Sequence, residues 1–429
     1  MAIKTGIGLR NLTLYSVYIR NHSEEGTFRA LERDLDRIKA LGVDIIWLLP
    51  IHPIGKKNRK GSLGSPYAIA DYRKINPEYG TYEDFVSLVS EIHRRGMKCI
   101  IDVVYNHTSP DSWLAENHGE WFFRKADGSF GNKAGAWLDV IDLDYGEAAL
   151  WDYQIETLKT WAGLVDGFRC DVASLIPLDF WLRARDEVSE VNPDCIWLSE
   201  SVDPSFISYN RSLGFTCLSD SEIFGAFDIS YDYDIYHRYK GYLEGKNSLA
   251  EYAEKINNQE VIYPVNYVKL RCLENHDQCR VKFLVTDEKA LLNWTAFLYF
   301  QKGMTMIYAG QETGNEHRPS LFEKDTVDWN TGCNLSEFMA ALYRIKKDPV
   351  FANSRYSVTA LPGDILLAVH KGQGRSIYGV FSLKGLPSPV PVDIYEGTFI
   401  NLIDGAAFRI EDSKLSCRGA PLIFEYPGN

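Results

Sequence analysis

Short apolar runs alternate with amphipathic stretches over most of the chain. Leu12–Ile19, Val43–Pro50, Met97–Tyr105, Val165–Ala173, Cys195–Ser199, Ala226–Tyr231, Val268–Leu273 and Gly303–Ala309 read as strands. Between them, Thr27–Ala40, Tyr82–Arg95, Glu147–Trp161, Leu178–Val191, a stretch near Ser248–Asn257, and Glu288–Phe300 space their apolar residues as helices do. Gly42 and Gly96 stand where the first two of these helices should stop. The strands are almost continuously apolar, as parallel strands covered on both faces must be. Strands alternating with helices in this way predict an α/β fold, a (β/α)8 TIM barrel.

Two regions break the alternation. Between Asn106 and Tyr145 lies a connection rich in Trp, Phe, Gly and Asp, including Trp121, Phe122, Phe123 and Trp137. Loops beyond about 15 residues usually serve a function or fold by themselves, so this one is expected to build one wall of a cleft. From about Ser354 onward, Ile365–Val369, Ser376–Phe381, Val390–Tyr395 and Leu422–Tyr426 are divided by Gly, Pro and Asp turns with no helical period. That pattern predicts a terminal all-β sandwich. The expected domains are a barrel over 1–106 and 146–352, a short β3–α3 insertion over 107–145, and a β-sandwich over 353–429.

Composition narrows the partners. Lys and Arg number 46 against 58 Asp and Glu, a net charge of −12, which argues against nucleic acid. No apolar run approaches the roughly 18 residues of a membrane span, and the first residues carry no apolar signal segment, so a cytoplasmic protein is expected. The eight cysteines form no CxxC or CxxH pattern and read as buried free thiols. No feature sets an oligomeric state.

The chemistry gathers where strands end. Val165–Ala173 (V-D-G-F-R-C-D-V-A) places Arg169 and Asp171 two residues apart, on one side of an otherwise apolar strand. A buried charged pair is costly unless it faces a polar pocket; a plain structural ion pair is the alternative. Three more strands end similarly: D-V-V-Y-N-H with Asp102, Asn106 and His107; W-L-S-E with Glu200; and C-L-E-N-H-D with His276 and Asp277. Singly, such acids often cap the following helix. Converging at one barrel mouth, they would make a carboxylate pocket whose members hold different protonation states. That suits cleavage of a glycosidic bond by a nucleophile and an acid/base.

D-V-V-Y-N-H (102–107), G-F-R-C-D (167–171), the Glu200 strand and N-H-D (275–277) together resemble the four signature segments of the α-amylase family of retaining α-glycosidases, in that family's order. S-P-Y-A-I-A-D-Y (65–72) and I-Y-A-G-Q-E (307–312) are similar to further landmarks of the family. The resemblance implies Asp171 as nucleophile, Glu200 as acid/base and Asp277 as the third acid. It implies that Tyr67 stacks on the sugar at the cleaved bond, that His107 and His276 hydrogen-bond its hydroxyls, and that Arg169 orients the nucleophile. No cofactor is implied for the chemistry.

Two positions depart from the family. Ser174 and Leu175 follow Ala173 where calcium-dependent amylases carry a Lys-His pair, and Asp142–Tyr145 (D-L-D-Y) matches the fifth segment only in part. At most one structural calcium is therefore expected, near Asn106 and Asp142, whose oxygens alone are too few for a tight site. The function implied is hydrolysis of α-1,4-glucosidic bonds in maltooligosaccharides or other α-glucans. A glucanotransferase, or an enzyme for α-1,6 oligosaccharides, sucrose or trehalose, would share the same residues. A non-catalytic carbohydrate-binding subunit is the reading from another class.

Overall fold

The structure, a computed structural model, describes residues 4–133, 135 and 137–427. Eight parallel strands close into a barrel in chain order: β1 (Thr13–Val17), β2 (Ile45–Leu48), β3 (Lys98–Val103), β4 (Gly167–Cys170), β5 (Ile196–Ser199), β6 (Ile229–Tyr231), β7 (Lys269–Arg271) and β8 (Met304–Tyr308), the last pairing again with β1. All eight apolar runs contribute a strand, but the strands are shorter than the runs. Val165–Ala173 keeps only Gly167–Cys170 as strand, because the chain turns away at Val172, where the polar mouth opens.

The helices start and stop by local chemistry. Thr27 caps Phe28–Ala40 by accepting from the Ala30 amide, and Thr81 with Asp84 forms a capping box ahead of Tyr82–Arg94. Helix Leu249–Ile262 runs on past the expected Asn257. Tyr233–Leu243 is a helix that the periodicity did not reveal, since its tyrosines blur the line between its buried and exposed faces.

The excursion after β3 is held by a short antiparallel pair, His107–Thr108 with Ile141–Asp142, and carries the helix Trp113–Asn117. Much of its aromatic content is packing: His118 stacks on Trp121 with ring centroids 3.8 Å apart.

Beyond the barrel come β9 (Arg355–Leu361), β10 (Ile365–Lys371), β11 (Arg375–Ser382), β12 (Ser388–Pro391), β13 (Gly397–Ile400), β14 (Ala407–Glu411), β15 (Lys414–Cys417) and β16 (Leu422–Pro427). They form two antiparallel sheets, β9-β10-β11-β16 and β12-β15-β14-β13. Ile365, Val380 and Phe424 of the first sheet share a core with Val390, Phe399, Ile410 and Leu415 of the second. The outer face of the first sheet lies on the barrel helices, where Phe381 meets Phe297 and Phe300 at 5.4 Å and the Asn257 amide donates to the Val358 carbonyl. No helix among the described residues is long and apolar enough to cross a membrane.

Candidate active site

Parallel register carries the charged residues to one place. Asp102 on β3 sits directly opposite Arg169 on β4, and Cys170 opposite Ser199 on β5. The ladder continues one step past the strands: the Asp171 amide donates to the Val103 carbonyl at 2.9 Å, and the Glu200 amide to that of Cys170 at 3.0 Å. Asp171 and Glu200 are therefore neighbours at the mouth. Gly167 permits this close pairing, since a Cβ there would meet the Ile196 carbonyl oxygen at 2.2 Å.

Arg169 is fully buried, and its guanidinium joins three acids. Nη1 donates to Asp102 Oδ1 and Oδ2 at 2.9 and 3.1 Å and to Asp171 Oδ1 at 2.8 Å. Nη2 lies 2.9 Å from Glu200 Oε2. The rings of Trp47, Tyr231 and Tyr67 surround it at 5.0, 5.4 and 5.7 Å from their centroids. One cation cannot neutralise three carboxylates out of water, so the protons redistribute. Burial pushes Glu200 up to about 8, Arg169 opposing and the neighbouring charge of Asp171 adding to the rise. Burial lifts Asp171 and Asp102 less, each to about 6, because Arg169 bonds them directly. Near neutrality Glu200 holds a proton while Asp171 is mostly ionised.

The turn after Asp171 is strained. Val172 adopts φ +36°, ψ +42°, a left-handed conformation that a β-branched residue rarely accepts, and its amide donates to Glu200 Oε2 at 2.9 Å.

β7 supplies the opposite wall. His276 Nε2 reaches Asp277 Oδ2 at 3.1 Å and the Tyr67 hydroxyl at 2.8 Å, and that hydroxyl donates to Asp102 Oδ2 at 3.1 Å. Nε2 as the donor nitrogen satisfies both contacts. Burial works against charge on both members of the pair, but each holds the other ionised, so Asp277 falls to about 2 and His276 rises. Tyr67 stacks on His276 at 5.4 Å. His107 lies with Nε2 4.0 Å from Asp171 Oδ2, and burial depresses its pKa, so it is neutral.

All seven residues expected to carry chemistry or hold sugar thus meet at one mouth, five of them lining a pocket of about 200 Å³: Tyr67, His107, Asp171, Glu200 and Asp277. Lys60, Trp137 and Asp139 close its rim. Asp102 as the second anchor of Arg169, and Lys60 and Asp139 at the rim, went unread in the sequence. The Asp102 motif was visible, but its partnership needs the β3–β4 register.

Asn106 and Asp142 meet, yet their surroundings do not fit calcium. Asp142 accepts from the Asn132 side-chain amide at 3.2 Å and the Lys133 backbone amide at 2.7 Å, and Asn106 turns its Nδ2 toward it at 3.5 Å. The Lys133 ammonium reaches in to the Leu143 carbonyl at 2.7 Å. Donors and a cation thus stand where a metal would require bare oxygens. The possible calcium expected at this pair finds no support in the described residues around it.

The model of the alpha amylase catalytic domain matches residues 16–357, and that of the bacterial alpha amylase C-terminal domain matches 357–424. The chain belongs to the α-amylase family. It is similar to the crystal structure of an alpha-amylase from Lactobacillus plantarum, with 45% identity, a TM-score of 0.96, and coverage of 98% of this chain and 100% of that one. A noncanonic maltogenic alpha-amylase, AmyB from Thermotoga neapolitana, shares 33% identity at a TM-score of 0.87, over 98% of this chain and 100% of that one. Alpha-amylase 2 of Dictyoglomus thermophilum is 28% identical over 397 residues, 86% of this chain and 66% of the relative. The chain spans from about half to two thirds of the length of such curated amylases. Its curated relatives include both amylases and maltosyltransferases.

Proposed function

We propose that this member hydrolyses α-1,4-glucosidic bonds of maltooligosaccharides by double displacement with retention of configuration. The observation that carries the reading is a pair of acids at the ends of adjacent strands, Asp171 and Glu200, both set against the Arg169 guanidinium. Asp171, bonded directly to the guanidinium, is the ionised nucleophile, and Glu200, held up to about 8, is the acid that protonates the leaving oxygen.

In the first step Asp171 attacks the anomeric carbon and the bond to the leaving oxygen breaks, that oxygen taking the Glu200 proton. Water then gives its proton to Glu200 and its hydroxyl to the anomeric carbon, releasing Asp171. Asp277, ionised by its pair with His276, favours the cationic sugar of each transition state. Tyr67 and His107 hold the ring, His276 sets Tyr67 and Asp277 from behind, and Arg169 fixes the attacking oxygen.

The test is a time course on maltohexaose read by chromatography and proton NMR. Shorter products appearing first as the α-anomer support the reading; β-anomers would sink it. A transferase reading keeps the same residues, and it is favoured by maltosyltransferases 33% identical over 213 residues. It would show as products longer than the substrate.

A further inference from the structure

Three loops around the pocket are stitched into one continuous wall. The loop after β2 is fastened to the excursion after β3 in two places. The Lys56 and Lys57 amides donate to Asp111 Oδ2 at 2.9 and 3.0 Å, and Lys60 Nζ lies 2.8 Å from Asp139 Oδ1. The same loop is fastened to the loop after β8, where the Leu63 amide donates to the Phe322 carbonyl at 3.0 Å and the Ser62 amide to Glu323 Oε1 at 2.7 Å. Of these ties only Lys60–Asp139 faces the pocket, and its carboxylate is 4% exposed. The carboxylate is fixed in the wall of the excursion, and the Lys60 ammonium reaches it from the solvent side of the rim.

The wall has a direction. In the closed strand order, β5 lies across the barrel from β1, while β2 and β8 flank β1. Glu200 follows β5, so the leaving group lies on that side, while the loops after β2 and β8 stand on the other and the excursion after β3 closes the flank between them. The pocket is open at its mouth, and its volume, about 200 Å³, falls below the roughly 300–1,000 Å³ of ordinary ligand pockets and suits a single sugar ring.

We infer that Lys60 and Asp139 latch the pocket behind that ring, so that an α-glucan enters only by its non-reducing end and loses one unit per cut. The inference rests on the hydrolase reading above and adds its substrate end. Each turnover consumes one water and yields glucose and a glucan one unit shorter.

The test uses the full chain and two maltoheptaosides carrying an aryl group at the reducing end, one free and one acetal-blocked at the non-reducing end. The wild type should release glucose first from the free substrate and leave the blocked one intact. Lys60→Ala, and independently Asp139→Asn, each shown folded by circular dichroism, should cleave the blocked substrate at least about tenfold faster than the wild type and give mixed lengths from the free one. Wild-type cleavage of both substrates at similar rates would overturn the latch, as would two folded variants that still spare the blocked substrate. No wild-type turnover of either substrate would sink the hydrolase reading, and the latch with it.

Discussion

Asp102 and Arg169 stand opposite each other in the β3–β4 register, and one guanidinium nitrogen donates to both Asp102 oxygens, at 2.9 and 3.1 Å. The same nitrogen holds Asp171, so the two acids compete for one cation, and the charge of Asp102 adds to the rise of the Asp171 pKa. Asp102→Asn removes that competition. The acidic limb of kcat/KM should then move to lower pH, because Asp171 ionises more readily. Turnover should fall about tenfold through looser placement of Arg169. An unmoved limb in a folded variant would show that Asp102 is only a packing residue.

The wild-type profile should be bell-shaped. Asp171 must be ionised, so activity falls as pH drops through about 6. Glu200 must be protonated, so activity falls as pH rises through about 8. The limbs belong to the coupled set of acids, and kcat/KM from pH 4 to 10 reads them.

Asp171→Asn keeps size and removes charge, so folding should survive while turnover falls by several orders of magnitude. Glu200→Gln should be as damaging on ordinary oligosaccharides and much less so on an aryl α-glucoside whose leaving group needs no proton. Kinetics on both substrate types distinguish the two roles. A folded Asp171→Asn that kept more than about a tenth of wild-type activity would end the assignment.

Thermal unfolding probes the excursion. With the Lys133 ammonium set on the Leu143 carbonyl beside Asp142, chelation should leave the melting temperature unchanged. Lys133→Met should lower it by a few degrees. A melting temperature that falls on chelation and returns with calcium would place a metal at Asn106 and Asp142 after all.

Gly167→Ala tests the register itself. The new Cβ would press on the Ile196 carbonyl, a backbone atom fixed in the β4–β5 ladder. A loss of about 1–3 kcal/mol in denaturant unfolding is expected. Activity should drop too, since the same ladder sets Asp171 beside Glu200.

The eight apolar runs and the helices between them were legible because burial on both faces leaves a strand no alternation to hide, and the barrel follows from their order. The acids at the strand ends were legible for the same reason: charge at the edge of an apolar run stands out. Strand length was not, since the chain turns away at Val172, where the mouth opens. Nor was the helix Tyr233–Leu243, whose tyrosines hide its period. Which acid keeps a proton could not be read either: Arg169 donates a hydrogen bond to Asp171 and only lies beside Glu200, an arrangement that arises when β3, β4 and β5 pair in register. Lys60 and Asp139 lie far apart in sequence, on loops with no periodic signal. Only the fold brings them to 2.8 Å, because the closed barrel sets the loops after β2 and β3 side by side.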